Sequence, residues 1–128
     1  MKKISLLIFL FFSFLFSEEL IWIDSFSKAK ELALKENKKI LVMFTQENCP
    51  TCEYMKDVTF QDEYVLNYMQ TNFILVQKDI KQKDELVNLK VYGTPTTYIF
   101  SKEAKQIGRQ IIGGATPSAF LKVLKEYK

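Results

Sequence analysis

Histidine is absent from this 128-residue chain, and cysteine occurs only twice, at positions 49 and 52. Zinc takes about four ligands, mostly Cys and His, so one chain offers at most half a site; only a dimer or recruited carboxylates would complete it. No charge of one sign dominates either. Eighteen Lys and Arg stand against 15 Asp and Glu, a net +3, and the two signs interleave, as in Lys28, Lys30, Glu31, Lys35 and Glu36. Without a basic stripe there is no electrostatic footprint for nucleic acid, and these charges read as a solvated face. Long apolar runs are missing too. The run Ile4–Phe16 is broken by Ser5 and Ser13 and falls short of the roughly 20 residues that span a bilayer. Repeats, low-complexity tracts and linkers are also lacking.

What the N-terminal run does fit is an export signal over residues 1–17. Met1-Lys2-Lys3 supplies the basic start, Ile4–Phe16 the apolar centre, and Ser17-Glu18-Glu19 the end. Ser17 suits the last residue of a signal, but Leu15 occupies a place where a small residue is wanted. An uncleaved anchor in the inner membrane is therefore the alternative. No cysteine follows the run to carry a lipid. Residues 18–128 make one compact domain, predicted to be periplasmic and monomeric. In that compartment disulfides persist, so a cysteine pair that cycles there needs an electron donor, most simply one in the membrane.

The pair itself is Cys49-Pro50-Thr51-Cys52, directly after the apolar run Ile40–Phe44. At a strand-to-helix junction, free backbone N–H groups and the positive end of the helix dipole favour a thiolate at Cys49, and the thiolate is the nucleophile of disulfide exchange. As a staple, the pair achieves little. Loop entropy gives about 2 kcal/mol for so short a ring, against about 4.7 kcal/mol for a hundred-residue loop. Redox chemistry is favoured over a structural bridge or a shared metal site, and no cofactor is called for.

The surrounding pattern alternates helices and strands. Asp24 or Ser25 caps a helix ending near Asn37; Lys39–Thr45 is a strand buried on both faces. Pro50 lies just inside a helix through Tyr54, Met55 and Val58, which breaks near Gln61-Asp62 and resumes at Val65, Leu66 and Met69. Phe73–Asp79 is a second strand, and Asp84 caps a short helix through Leu86, Val87 and Leu89. Thr96–Ser101 and Gln106–Ile112 form a hairpin. Gly113-Gly114 breaks the chain before a helix capped by Thr116-Pro117, with Phe120, Leu121, Val123 and Leu124 inward. Trp22 packs where the N-terminal segment joins the sheet. The order predicts an α/β domain: a central mixed sheet of four to five strands with helices on both faces.

A second motif, Tyr92-Gly93-Thr94-Pro95-Thr96, opens the third strand. Proline cannot donate to a sheet ladder, so Pro95 marks an edge or a special turn, and a cis Thr94-Pro95 bond is a candidate because cis X-Pro lies only about 0.5–1 kcal/mol above trans. With these residues in place the chain resembles the thioredoxin family. The resemblance rests on Cys49-Pro50-Thr51-Cys52 after Ile40–Phe44, Asp79 ending the next strand, Gly93-Thr94-Pro95-Thr96, and Gly113-Gly114. The stretch from Cys49 to Val65 looks most like exported members such as the C-terminal periplasmic domain of the electron carrier DsbD. The resemblance implies a thioredoxin fold and thiol:disulfide oxidoreductase activity on protein thiols and disulfides. It further implies that Cys49 attacks, Cys52 resolves, a cis Pro95 packs against the dithiol, and Thr94 lends backbone groups to a bound substrate strand.

Three departures bear on mechanism, the first being Pro50-Thr51 between the cysteines where cytoplasmic thioredoxins carry Gly-Pro. Met43 stands where cytoplasmic thioredoxins carry a buried aspartate, and Asn48 stands where they carry a tryptophan. Glu47 and Glu53 flank the cysteines and no Lys or Arg adjoins Cys49; Lys56 lies two turns down the helix from it. If close, the two glutamates raise the thiolate pKa and make the pair more reducing. The sequence therefore favours a reductase, with an isomerase, an oxidase or a redox-inert binding module as alternatives. Tyr92, beside Pro95, borders the expected substrate groove.

Overall fold

The computed structural model describes residues 19–128; the signal reading of residues 1–17 lies outside them. Among the described residues no helix is long and apolar enough to cross a membrane. The chain folds as β1 (Trp22–Ile23), α1 (Phe26–Glu36), β2 (Lys39–Thr45), α2 (Pro50–Asp57), α3 (Glu63–Asn72), β3 (Phe73–Asp79), β4 (Thr96–Phe100), β5 (Ile111–Ile112) and α4 (Pro117–Leu124). Short 3-10 turns at Thr59–Gln61 and Asp84–Leu86 complete it. The sheet order is β1-β3-β2-β4-β5. β1 and β2 run parallel to β3, while β4 runs antiparallel to both β2 and β5.

β2 explains the layering. All five residues from Ile40 to Phe44 are buried, because successive side chains of a strand point to opposite faces and both faces are covered. Ile40, Val42 and Phe44 pack with Phe26, Ala29 and Ala33 of α1. Leu41 and Met43 pack with Met55 of α2, Val65 and Met69 of α3, and Phe120 and Leu124 of α4. Phe44 and Phe120 are among the largest fully enclosed side chains, and each such burial contributes about 1.5–3 kcal/mol.

The helix ends follow local chemistry. Ser25 accepts from Lys28 N at 3.1 Å to cap α1, and Asn37 ends it in the left-handed region at φ 55°, a conformation asparagine tolerates. Asp62 accepts from the N–H groups of Tyr64 and Val65 and so starts α3 after the break that the sequence marks. Thr116 caps α4, with Pro117 in its first turn.

Two expectations need correction. Asp84 does not cap a helix: with φ at 50° it opens a single 3-10 turn, and its carboxylate binds the Lys78 ammonium at 2.5 Å. Lys78 is only 7% exposed; its Nζ also donates to the Asp24 carbonyl at 2.6 Å. A buried ammonium needs a counter-charge more than a marginal helix needs a cap. The strand expected over Gln106–Ile112 is reduced to Ile111–Ile112 plus one bridge between Phe100 and Gln106. Gly108, at φ 64°, turns the backbone out of the ladder between them. Trp22 does pack where the N-terminal segment joins the sheet, within a short strand of its own, β1, that pairs it with Leu75.

Candidate functional site: a buried disulfide against the Thr94-Pro95 loop

The end of β2 delivers the chain to the site. Gln46 and Glu47 leave the strand, Asn48 takes φ 56°, and Cys49 becomes the N-cap of α2 with extended φ and ψ of −106° and 97°. Its Sγ accepts a hydrogen bond from Cys52 N at 3.2 Å, which spends one of the helix's unpaired N–H groups on the sulfur. Pro50, having no N–H to lose, occupies the first turn. Cys49 and Cys52 are joined as a disulfide, 8% and 7% exposed respectively.

The Thr94–Pro95 peptide is cis, and the loop carrying it packs against Cys49. The Thr94 carbonyl oxygen lies 3.5 Å from Cys49 Sγ, and the Thr94 hydroxyl donates to that sulfur at 3.3 Å. Behind the hydroxyl, Gln46 Nε2 donates to Thr94 Oγ1 at 2.8 Å. Thr96 Oγ1 donates to the Gly93 carbonyl at 2.7 Å, closing the turn into β4. Thus the four residues singled out from sequence, Cys49, Cys52, Thr94 and Pro95, converge from the N-terminus of α2 and the start of β4. Tyr92, two residues before Thr94 in the chain, is 86% exposed.

The Gly113-Gly114 segment forms the third wall. Gly113 N donates to the Pro95 carbonyl at 2.8 Å, with Gly113 at φ 83°. A Cβ on Gly114 would stand 2.5 Å from Thr51 Cγ2, so the backbone there rides directly on one of the two residues between the cysteines. Replacing Gly114 by Ala is expected to destabilise the oxidised domain by about 1–3 kcal/mol, the usual cost of overpacking. Adding Thr51→Ala should recover most of that loss in a double-mutant cycle followed by denaturant unfolding. Additive effects would mean that the two residues do not press on each other.

Beside Cys52 lies a cavity of about 170 Å³ lined by Trp22, Met43, Glu53, Lys56 and Gln77, among others. Lys56 is thus nearer to the chemistry than its distance from Cys49 suggests: it follows Cys52 by four positions, one turn along the same helix face. Met43, in the position of the missing aspartate, leaves that cavity without a carboxylate from the sheet. Lys78, another cation that folding brings toward the sheet's end, is held by Asp24 and Asp84 instead. A larger cavity, about 390 Å³, lies on the far edge among Ile21, Ile23, Leu32 and Phe73; it contains no cysteine and is apart from this site.

Gln46 and Trp22 were not singled out as site residues from the sequence. Gln46 had one available signal, its place three residues before Cys49 at the end of a buried strand. Trp22 had none, since its approach to Cys52 depends on β1 pairing with β3.

Comparison with known proteins agrees with this geometry. The family model for a thioredoxin-like domain (Thioredoxin_2) matches residues 26–128. The thiol:disulfide interchange protein DsbD of Campylobacter jejuni is 24% identical over 91 residues, covering 67% of this chain but only 16% of that protein's length. Among solved structures, a thioredoxin from Thermus thermophilus superposes with TM-score 0.71 at 25% identity, covering 84% of this chain and 85% of the other. The reduced C-terminal domain of DsbD from Neisseria meningitidis gives TM-score 0.67 at 18% identity, covering 84% and 100%. The chain belongs to the thioredoxin-like domain family, among thiol:disulfide oxidoreductase homologues, with Cys49 and Cys52 as its Cys-x-x-Cys pair.

Proposed function

We propose that this domain is an exported thiol:disulfide reductase acting on protein disulfides. The observation that carries the reading is the Cys49–Cys52 disulfide at the N-terminus of α2, with the Thr94 carbonyl and hydroxyl against Cys49. In the reduced domain the Cys49 thiolate attacks one sulfur of a substrate disulfide. A Cys49–substrate bond forms, and the substrate's other sulfur leaves as a thiolate that takes a proton. Cys52 then loses its proton and attacks Cys49 Sγ, re-forming the internal disulfide and releasing the second substrate thiolate. Two electrons pass from the dithiol to the substrate. A thiol donor must return them, and in the periplasm a membrane protein is the natural source.

Thr94 and Pro95 bind the substrate strand in this scheme. Extended peptides add to exposed backbone by main-chain hydrogen bonds, and the Thr94 backbone lies beside the attacking sulfur. The reductase direction is supported by the local charges: Glu47 and Glu53 flank the pair, and Lys56, a cation on the Cys52 side, shares its cavity with Glu53. Export is supported by the composition of residues 1–17. The purified protein with dithiothreitol should accelerate precipitation of insulin by reduction of its interchain disulfides. Turnover no faster than dithiothreitol alone would leave a redox-inert binding module as the better reading.

A further inference from the structure

We propose that Gln46 is a positioning residue that fixes the Thr94 hydroxyl as a hydrogen-bond donor to the Cys49 sulfur, and so lowers the pKa of the attacking thiol. The inference rests on the assignment of Cys49 as nucleophile and extends it to a residue outside both motifs. A threonine hydroxyl has one proton and two lone pairs, whereas the amide nitrogen of glutamine only donates. Gln46 Nε2 lies 2.8 Å from Thr94 Oγ1, so the hydroxyl accepts there and its own proton remains free. The Cys49 sulfur, 3.3 Å away, receives it. The result is a directed chain, amide to hydroxyl to sulfur.

In the disulfide the acceptor is a weak one. Once the pair is reduced it becomes a thiolate, and hydrogen bonds to ionised acceptors are roughly twice as strong as neutral ones. The chain therefore favours the charged form of Cys49 over the thiol. It complements the helix N-terminus, approaching the sulfur from β4 while the Cys52 N–H approaches from α2. It also explains why a glutamine at the end of β2 reaches across to the Thr94 loop. With Met43 and Asn48 in place of the family's acid and tryptophan, neutral donors are what this chain supplies to Cys49.

Ionisable groups on the segments next to the pair include Glu47 in the β2–α2 loop, Glu53 and Lys56 on α2, Asp79 at the end of β3 with Lys81 after it, and Tyr92 before β4. None is altered in the variants below, so differences among them isolate the neutral chain. The measurement is the pH profile of Cys49 carboxamidomethylation in the reduced protein, read by mass spectrometry, with the melting temperature followed in parallel. Thr94→Val should raise the Cys49 pKa by about one unit, a tenfold loss of thiolate at a given pH below it. Thr94→Ser should keep the wild-type profile. Gln46→Ala should move the pKa in the same direction as Thr94→Val, and should add nothing in the Thr94→Val background. An unchanged pKa in Gln46→Ala would overturn the proposal, because the hydroxyl would then need no amide to direct it, and so would a lowered pKa, because it would mean that the amide oxygen faces Thr94 and holds its proton. So would an effect of Gln46→Ala that survives without the hydroxyl. The titration needs no protein substrate, so a failure in the insulin assay counts against the reductase reading and not against this one.

Discussion

A Cys52→Ala variant, reduced and mixed with a disulfide-bearing protein, is expected to accumulate as a covalent complex through Cys49. The reverse variant, Cys49→Ala, is expected to form none. The expectation follows from the two positions on α2. Cys49 is the N-cap, with a backbone N–H directed at its sulfur and the Thr94 hydroxyl beside it; Cys52 lies inside the first turn against the cavity of Trp22 and Lys56. Both donors stabilise negative charge on Cys49, so it supplies the nucleophile. Once Cys52 is gone, no internal thiol remains to attack Cys49 Sγ, and the complex persists until an external thiol resolves it. Non-reducing electrophoresis with peptide mapping reads the linkage. Insulin turnover in either variant should fall to the dithiothreitol background. A complex mapped through Cys52 would reverse the assignment.

The second large effect concerns equilibrium. The Cys49–Cys52 couple is expected to have a midpoint nearer the −270 mV of thioredoxin than the roughly −120 mV of the oxidant DsbA. That interval corresponds to about 7 kcal/mol of differential stability between oxidised and reduced forms, at 1.4 kcal/mol per 30 mV. A strong oxidant reaches its high potential by stabilising a thiolate intensely, with a cysteine pKa of about 3.5. Here the helix N-terminus and one neutral hydroxyl act on Cys49, and a neutral donor changes a pKa by about one unit, far short of such a shift. Lys56 shares its cavity with Glu53, and Lys78 is committed to Asp84. Equilibration against glutathione buffers measures the midpoint; a value above about −180 mV, the range of protein disulfide isomerase, would favour the isomerase or oxidase reading.

How much of this was legible in the sequence differed between elements for physical reasons. β2 was read with its full bounds because an unbroken five-residue apolar run, Ile40–Phe44, with both faces covered has a composition few other elements share. α1 and α4 were read from caps and periodicity and α3 from periodicity alone, all of them local signals. β1 could not be: two residues carry no period, and the pairing of Trp22 with Leu75 spans more than fifty positions. β5 was read too long because its apolar pattern continues through Gly108, whose positive φ interrupts the ladder. Asp84 was misassigned since its partner, Lys78, becomes buried only when α1 and β3 pack together.

In the site, the two motifs announced themselves because each residue type is demanded by local backbone: a proline with no N–H to lose, a proline opening a strand. The contacts joining the motifs, Gln46 to Thr94 and Gly114 to Thr51, were not legible. They are distances between segments 48 and 63 residues apart, set by the register of β2 with β4 rather than by either segment alone.

The placement of Trp22 has an optical consequence. It is the only tryptophan in the chain, it stacks at a tilt on Phe60 with 5.4 Å between ring centroids, and it lines the cavity that Cys52 borders. Disulfides quench indole emission by electron transfer at short range. The domain therefore carries its own fluorophore within sight of the reacting sulfurs, held there by an edge strand of two residues, and the passage of electrons through the pair can be watched in real time without a label.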